Sequence, residues 1–181
     1  MQRWQIIVFL MALAFGLNAY TRYQAAPMRH SLSLAQTVSG VPANCPVTPA
    51  PDVPFLAPSP NAPSAPWPGM VWYGSAALWT VLPTDGTWSG LPHNPEGYTQ
   101  KVVWWREGLW WLDEPQPALT VSGRRLDGDA PPLNVSRANS VFAEDMQSAM
   151  MVGVDFPTLG CWEITGRYQS DELSFVVRVA P

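Results

Sequence analysis

The sequence predicts an all-β fold, an antiparallel β-sandwich of about seven to nine short strands. Apolar and polar side chains alternate along Cys161–Tyr168 and again along Leu173–Val179, which is the period-two pattern of half-buried strands. With the apolar run Ala149–Val154 before them, these segments are interpreted as three C-terminal strands that neighbour each other. Turn formers separate short β-rich segments through the rest of the chain, at a spacing of roughly 8–12 residues. Charged residues make up only 13 % of the chain, which argues against general disorder.

Residues 1–26 predict an export signal or a membrane anchor. Arg3 supplies a positive charge, and the apolar run Ile6–Leu17 is shorter than the about 20 residues of a comfortable membrane span. Residues 17–19 offer a possible cleavage site, whereas continuation of the apolar stretch to Tyr20 or Tyr23 would give an uncleaved anchor. A buried helix of a soluble protein remains the third interpretation.

Residues 27–68 are predicted to be a linker, and its second part, from Val41 to Pro68, is rich in proline. The whole chain holds 20 prolines, about twice the usual share. Proline at this density excludes helix and central strand and favours an extended, semi-rigid chain. We expect a stalk that holds the domain away from the membrane. A ligand for a proline-recognising domain is the alternative.

The two cysteines, Cys45 and Cys161, are compatible with one disulfide in an oxidising compartment. An unpaired thiol outside the cytosol is a liability, so export favours the pair. Such a bond would attach the proline-rich segment to the domain. Two unrelated thiols, with Cys161 packing as a small apolar residue, are the alternative.

The folded domain is predicted to cover residues 69–181, beginning near Gly69. Residues 88–98 are interpreted as loop because they are rich in glycine and proline. Phe142–Met146 is ambiguous and is interpreted as one helical turn. The strand candidates before the C-terminal three are Met70–Tyr73, Leu78–Leu82, Lys101–Arg106, Trp110–Leu112, Ala118–Leu126 and Leu133–Val135.

Three segments carry a resemblance to a known group of proteins: Tyr73–Trp79, Leu119–Leu126 and Val154–Gly166. They resemble small exported bacterial proteins with a C-terminal immunoglobulin-like domain and no assigned activity. The portion from Phe156 to Phe175 is similar to the last two strands of bacterial immunoglobulin-like modules. The resemblance covers residues 70–181 and implies an immunoglobulin-like sandwich without catalytic residues. Because Cys45 lies outside that region, no disulfide between facing core strands is implied.

Composition argues against nucleic-acid binding and against a metal centre. The net charge is −4, and the longest basic cluster is only Arg124–Arg125, whereas nucleic-acid binding requires a basic stripe. The two histidines, His30 and His93, lack the spacing of zinc ligands. We therefore predict no nucleic-acid partner, no metal and no cofactor.

Catalytic patterns are weak as well. Gly74-Ser75 lacks the second glycine of a nucleophile elbow. The carboxylate pairs lie in predicted turns, where acidic residues commonly bond to the backbone. A glycosidase would need two carboxylates facing each other across a cleft. The pairs are Asp113–Glu114, Asp127 with Asp129, Glu144–Asp145 and Asp171–Glu172.

The ten tryptophans are the feature with the clearest functional implication. Neighbouring residues on a strand face opposite ways, so Trp104 and Trp105 cannot both point into one core, and the same holds for Trp110 and Trp111. One of each pair should lie at a surface, beneath a loop or under the proline-rich segment. The candidate binding platform consists of Trp88, Trp105, Trp110 and Trp111. The alternative is that proline-rich chain packs over these rings.

These observations predict a non-enzymatic, exported module of the cell envelope, in the periplasm, at the cell surface or outside the cell. Its expected partner is a protein, and it would meet the membrane only through its N-terminal segment. A carbohydrate-binding module that stacks polysaccharide on exposed tryptophans is the alternative function. An enzyme with an unrecognised site is the third hypothesis.

Overall fold

The computed structural model describes residues 45–58 and 62–181. The chain divides into two compact units, residues 1–37 and 38–181, and every described residue belongs to the second. The predicted signal or anchor at 1–26 and the predicted linker up to residue 44 lie outside the described residues. Within the described part of the chain, no helix is both long and apolar enough to span a membrane.

The described chain is all-β, as predicted, and its strands form two sheets arranged like a sandwich. It contains eleven strands, more than the predicted number, because two- and three-residue strands are too short to show a period in the sequence. The strands are β1 (Met70–Ser75), β2 (Leu78–Pro83), β3 (Thr87–Ser89), β4 (His93–Asn94), β5 (Gly97–Trp105), β6 (Thr120–Arg125), β7 (Asn134–Val135), β8 (Asn139–Ala143), β9 (Gln147–Phe156), β10 (Gly160–Tyr168) and β11 (Asp171–Ala180).

The larger sheet, sheet A, has seven strands in the order β1-β2-β5-β9-β7, and all its pairings are antiparallel. Two further strands pair with members of this series: β4 pairs with β5, and β8 pairs with β9. Sheet B has the order β3-β11-β10-β6. In sheet B only β3 runs parallel to its neighbour, β11.

The three C-terminal strands exist as predicted, but only two of them neighbour each other. β10 and β11 form a hairpin in sheet B, whereas β9 lies in sheet A. The connection Pro157–Leu159 carries the chain from one sheet to the other, and Gly160 then starts β10 with a φ of 148°, a value that L side chains rarely adopt. Alternation predicts strands but does not reveal which sheet each joins.

The main core lies between the sheets and is built from the inward positions of the alternating strands. Trp104 of β5 is fully buried and lies against Gly166 of β10, where an added Cβ would be 2.4 Å from the indole. Any side chain at position 166 would occupy the space of the Trp104 ring, so this contact requires glycine. The other large, fully buried members of this core are Trp162, Tyr168, Phe156, Phe175, Leu78, Leu82, Leu109, Met150 and Ile164.

A second apolar cluster covers the outer face of sheet A. It contains the buried residues Trp72, Trp79, Val81, Val103, Trp105 and Ala149. Trp105 is as fully buried as its neighbour Trp104, although the two point to opposite faces. The proline-rich arm, defined here as residues 45–58 and 62–68, covers this cluster and buries Trp105 together with Trp72 of β1. The Trp67 ring lies 6.1 Å from that of Trp105, and Phe55 lies 5.5 Å from Trp79.

The proline-rich arm is therefore part of the folded domain, and its described residues do not form the extended stalk that its composition predicted. Thr48 donates its N–H to Val176 of β11 at 2.9 Å, and its hydroxyl accepts the Val176 N–H at 2.8 Å. The Cys45–Cys161 disulfide attaches the arm to β10, as predicted. The arm thus joins sheet B at one end to the outer face of sheet A at the other.

Three predicted local structures are wrong. Trp110–Leu112 is a turn and not a strand, and Phe142 belongs to β8 and not to a helical turn. The segment 88–98, interpreted as loop, contains β4 and parts of β3 and β5. The strands β3, β4 and β8 are defined by their pairing with β11, β5 and β9, which composition and periodicity of the single segment do not show.

Candidate functional site

The four tryptophans of the predicted platform do not lie together. Trp88 is only 6 % exposed and Trp105 is 0 % exposed, so neither can stack on a ligand. Trp88 faces the core from β3, against Phe156 and Phe175. Trp105 lies beneath the proline-rich arm, the position that the alternative interpretation gave it. Including these two residues in the platform was wrong.

Trp110 and Trp111 do lie at the surface, where they form part of an apolar patch. Trp110 is 42 % exposed, Leu112 57 % and Phe142 48 %, and Trp111 is partly buried. The Phe142 ring is 6.4 Å from that of Trp110 and 6.2 Å from that of Trp111. We call these four residues the aromatic patch. Large apolar groups exposed next to one another mark interaction sites more often than isolated ones do.

The loop between β5 and β6 carries three of the four patch residues, and several contacts hold this loop in place. Leu109 is fully buried and anchors its start. The Asp113 N–H donates to the Trp110 carbonyl at 3.0 Å and closes a turn that carries Trp111 and Leu112. Farther along, Ser140 of β8 donates its N–H to the Pro115 carbonyl at 3.0 Å. The patch is therefore presented by an anchored loop.

A polar cluster adjoins the end of this loop. The Tyr168 hydroxyl donates to Glu114 Oε2 at 2.6 Å, and Gln169 Nε2 donates to that hydroxyl at 3.1 Å. The Arg106 guanidinium lies 5.2 Å from the centre of the Tyr168 ring and 3.7 Å from Glu114. Burial raises the pKa of the Tyr168 hydroxyl, and the bond to Glu114 raises it further. These contacts connect the loop to β10.

The other predicted carboxylate pairs have structural partners. Asp145 accepts from Trp67 Nε1 at 3.2 Å, and Glu172 pairs with Arg167 at 2.6 Å. Burial acts to raise the pKa of Asp127, but hydrogen bonds and the nearby positive charge of Arg125 outweigh it, so that pKa is lowered. These contacts give the carboxylates roles in holding turns and strands together.

The sequence did not single out two members of the aromatic patch, Leu112 and Phe142. Phe142 was hidden because its segment was interpreted as a helical turn. The available signal was the partner strand: β9 is long, and a long buried strand needs neighbours on both sides. Phe142 pairs with Ser148 in β9, and the Ser148 hydroxyl accepts the Trp111 N–H at 3.4 Å.

Comparisons with protein-family models, with curated proteins and with solved structures find no match to this chain.

Proposed function

We propose that this chain is a non-enzymatic, exported cell-envelope module with an immunoglobulin-like fold, and that it binds a protein partner through the aromatic patch. The observation that carries the proposal is the patch itself. Three of the five large hydrophobic side chains that are exposed in the described chain, Trp110, Leu112 and Phe142, belong to it. The remaining two, Val53 and Leu56, lie on the proline-rich arm.

The strand order supports the immunoglobulin-like part of the proposal. Immunoglobulin-type sandwiches place strands A, B, E and D in one sheet and C, F and G in the other. In sheet A, β2, β5, β9 and β8 follow the order A-B-E-D, and in sheet B, β6, β10 and β11 follow the order C-F-G. On this assignment the B–C loop carries Trp110, Trp111 and Leu112 of the aromatic patch, at an end where such domains commonly bind partners.

The disulfide supports export. Disulfides persist in oxidising compartments and are rare in the cytosol, and the bond between Cys45 and Cys161 attaches the proline-rich arm. The apolar run Ile6–Leu17 would supply the export signal or the anchor.

The composition of the patch favours a protein partner. Tryptophan is enriched among the residues that dominate binding energies at protein interfaces, and a central apolar cluster is typical of them. Leu112 is the most exposed patch residue and offers a branched aliphatic side chain with no flat face. Such a side chain suits a protein pocket better than a sugar ring.

A carbohydrate-binding module remains the second candidate function. The exposed ring of Trp110, with Trp111 beside it, could stack on a pyranose face. This candidate predicts that Trp110 dominates binding and that Leu112 contributes little.

Iodide quenching of tryptophan fluorescence separates the two functions. We expect a detergent-free envelope protein fraction to protect Trp110 of the wild-type chain from iodide, and the Leu112→Asp/Phe142→Asp variant, which keeps Trp110, to lose that protection. Arg124→Ala, an exposed change on sheet B, serves as the matched control and should keep it. Near-ultraviolet circular dichroism checks that each variant is folded.

Protection of Trp110 by purified envelope polysaccharide that is kept in Leu112→Asp/Phe142→Asp would instead establish the carbohydrate function. Protection by the protein fraction that survives in this double variant would contradict protein binding through the aromatic patch.

A further inference from the structure

One side of β5 has a gap in its strand pairing. On the β9 side, β5 is paired from Tyr98 to Trp104. On the opposite side, β2 pairs only with Trp104 and Trp105, and β4 only with Gly97 and Tyr98. Among the described residues, therefore, positions 99–103 have no strand partner on this side. We call this stretch the edge gap.

The gap exists because the chain changes sheets here. After β2 ends at Pro83, the turn Thr84–Gly86 leads into β3, which pairs with β11 in sheet B. The strand that would otherwise have continued along β5 thus leaves sheet A.

The backbone groups that face the edge gap form hydrogen bonds with groups other than those of a neighbouring strand. The Thr99 N–H donates to the Pro92 carbonyl at 2.8 Å, and the Val103 carbonyl accepts from the buried Thr80 hydroxyl at 2.7 Å. Between them, the Lys101 N–H donates at 3.0 Å to the side-chain oxygen of Gln100, in an exposed contact. An exposed side-chain acceptor can be displaced by a peptide carbonyl at little cost, since the released amide is hydrated.

A cleft of about 360 Å³ adjoins the edge gap, and we call it the methionine cleft. Three methionines supply flexible, polarisable walls that adapt to different side chains. Lys101, the only lysine in the chain, is exposed and is the only charged residue in the lining. The lining residues are Trp67, Met70, Val81, Trp88, Gln100, Lys101, Val102, Val103, Met146 and Met151.

We propose that the edge gap and the methionine cleft together bind an extended peptide segment of a partner protein, which adds to β5 as a short antiparallel strand. Backbone hydrogen bonds supply affinity in this mode, and alternate side chains supply specificity. Antiparallel addition matches β2 and β4, which both run antiparallel to β5.

The register sets the preferred peptide. The residue opposite Lys101 shares its face of the sheet, where a carboxylate would meet the lysine. The two peptide residues on either side of it point to the other face of the sheet, toward Val102 and Trp88, and should be β-branched and apolar. The residue opposite Val103 faces the methionines and should also be apolar. In antiparallel order, this predicts the pentapeptide leucine-valine-glutamate-valine-threonine.

The competing interpretation is that Lys101 only guards the edge. Charged residues, lysine above all, protect sheet edges from pairing with other chains. If Lys101 only prevents pairing, the edge gap should bind no peptide strand. If Lys101 takes part in recognition, the edge gap should bind a strand that carries an acidic residue.

Titration of the full chain with the acetylated, amidated pentapeptide, followed by amide NMR, tests this choice. We expect saturable shifts at Lys101 and Val103 and slower hydrogen exchange of the Lys101 amide. A peptide methylated on the glutamate backbone nitrogen cannot donate the hydrogen bond to the Lys101 carbonyl and should not bind. Lys101→Glu should weaken binding about tenfold, because an attraction becomes a repulsion.

A charge swap supplies the matched control. The Lys101→Glu variant should recover affinity for the same peptide with lysine in place of glutamate. Equal binding of the glutamate and lysine peptides by the wild type, or binding of the N-methylated peptide, would overturn the proposal. Shifts caused by decanoate but not by the glutamate peptide would also overturn it, because the cleft would then be a site for anionic amphiphiles.

Discussion

At the scale of single residues, Tyr168 is where the polar cluster beside the aromatic patch can be tested by pH. Its hydroxyl is buried and donates to Glu114 at 2.6 Å, and burial followed by this bond raises its pKa above 10.0. The unfolded chain then loses this proton at lower pH than the folded chain does. The free energy of unfolding should therefore fall as pH rises from about 10 to the raised pKa.

Tyr168→Phe removes this titration, so its free energy of unfolding should fall less between about pH 9 and pH 11 than that of the wild type. At neutral pH the variant should be destabilised by about 1 kcal/mol, the usual contribution of one hydrogen bond. Urea unfolding at a series of pH values measures both effects. Glu114→Gln should keep most of the alkaline loss, because burial is the larger cause. An equal alkaline loss in Tyr168→Phe would contradict this account.

The adjacent tryptophans show which side-chain positions can be predicted from the sequence and which cannot. Alternation predicted that Trp104 and Trp105 point to opposite faces, and they do. It did not decide what covers Trp105, because the cover is the proline-rich arm, which has no periodicity to interpret. For Trp110 and Trp111 the same argument assumed a strand, whereas Trp111 and Leu112 lie in a turn. The exposure of Trp110 therefore does not follow from alternation.

At the scale of elements, the disulfide fixes the first described residue of the proline-rich arm to β10. The two cysteines are 116 residues apart in the sequence. Closing a loop of that length should stabilise the fold by about 4–5 kcal/mol in the chain-entropy model, and measured values of about 2–5 kcal/mol are common. Cys45→Ser should lose stability in this range, measured by urea unfolding with tryptophan fluorescence as the signal.

Serine at position 45 is the suitable change because Cys45 is only partly buried, whereas Cys161 is fully buried. The wild-type chain in a thiol reductant should match Cys45→Ser, and the variant itself should not respond to the reductant. Unchanged stability after either treatment would show that the arm is held by its other contacts alone.

The elements also show why topology was harder to predict than strands. β9, β10 and β11 follow from alternation, but their distribution between the sheets depends on the connection Pro157–Leu159. The two-residue strands β4 and β7 depend wholly on their partners, β5 and β9. A sequence pattern indicates which face of a segment is buried. It does not indicate which other strand pairs with that segment.

At the scale of the whole molecule, the domain has three layers: sheet B, sheet A and the proline-rich arm. The boundary that composition placed at Gly69 divides the third layer from the other two. Large apolar side chains lie on both sides of that division, with Phe55 and Trp67 in the arm and Trp79 and Trp105 in the sheet. The arm therefore covers the apolar outer face of sheet A, as a further sheet would.

A chain shortened to residues 69–181 tests this view. It loses the arm, so Trp72, Trp79 and Trp105 become exposed on one face. The stability lost should be about 3 kcal/mol or more from the contacts of Phe55 and Trp67, in addition to the about 2–5 kcal/mol of the Cys45–Cys161 disulfide, which the shortened chain also lacks. Exposed aromatic surface of this kind promotes association. We expect strong binding of an apolar dye and oligomers in size-exclusion chromatography, whereas a chain beginning at Cys45 should be monomeric and bind no dye. A monomeric 69–181 chain with an unchanged near-ultraviolet spectrum would show that the sandwich needs only two layers.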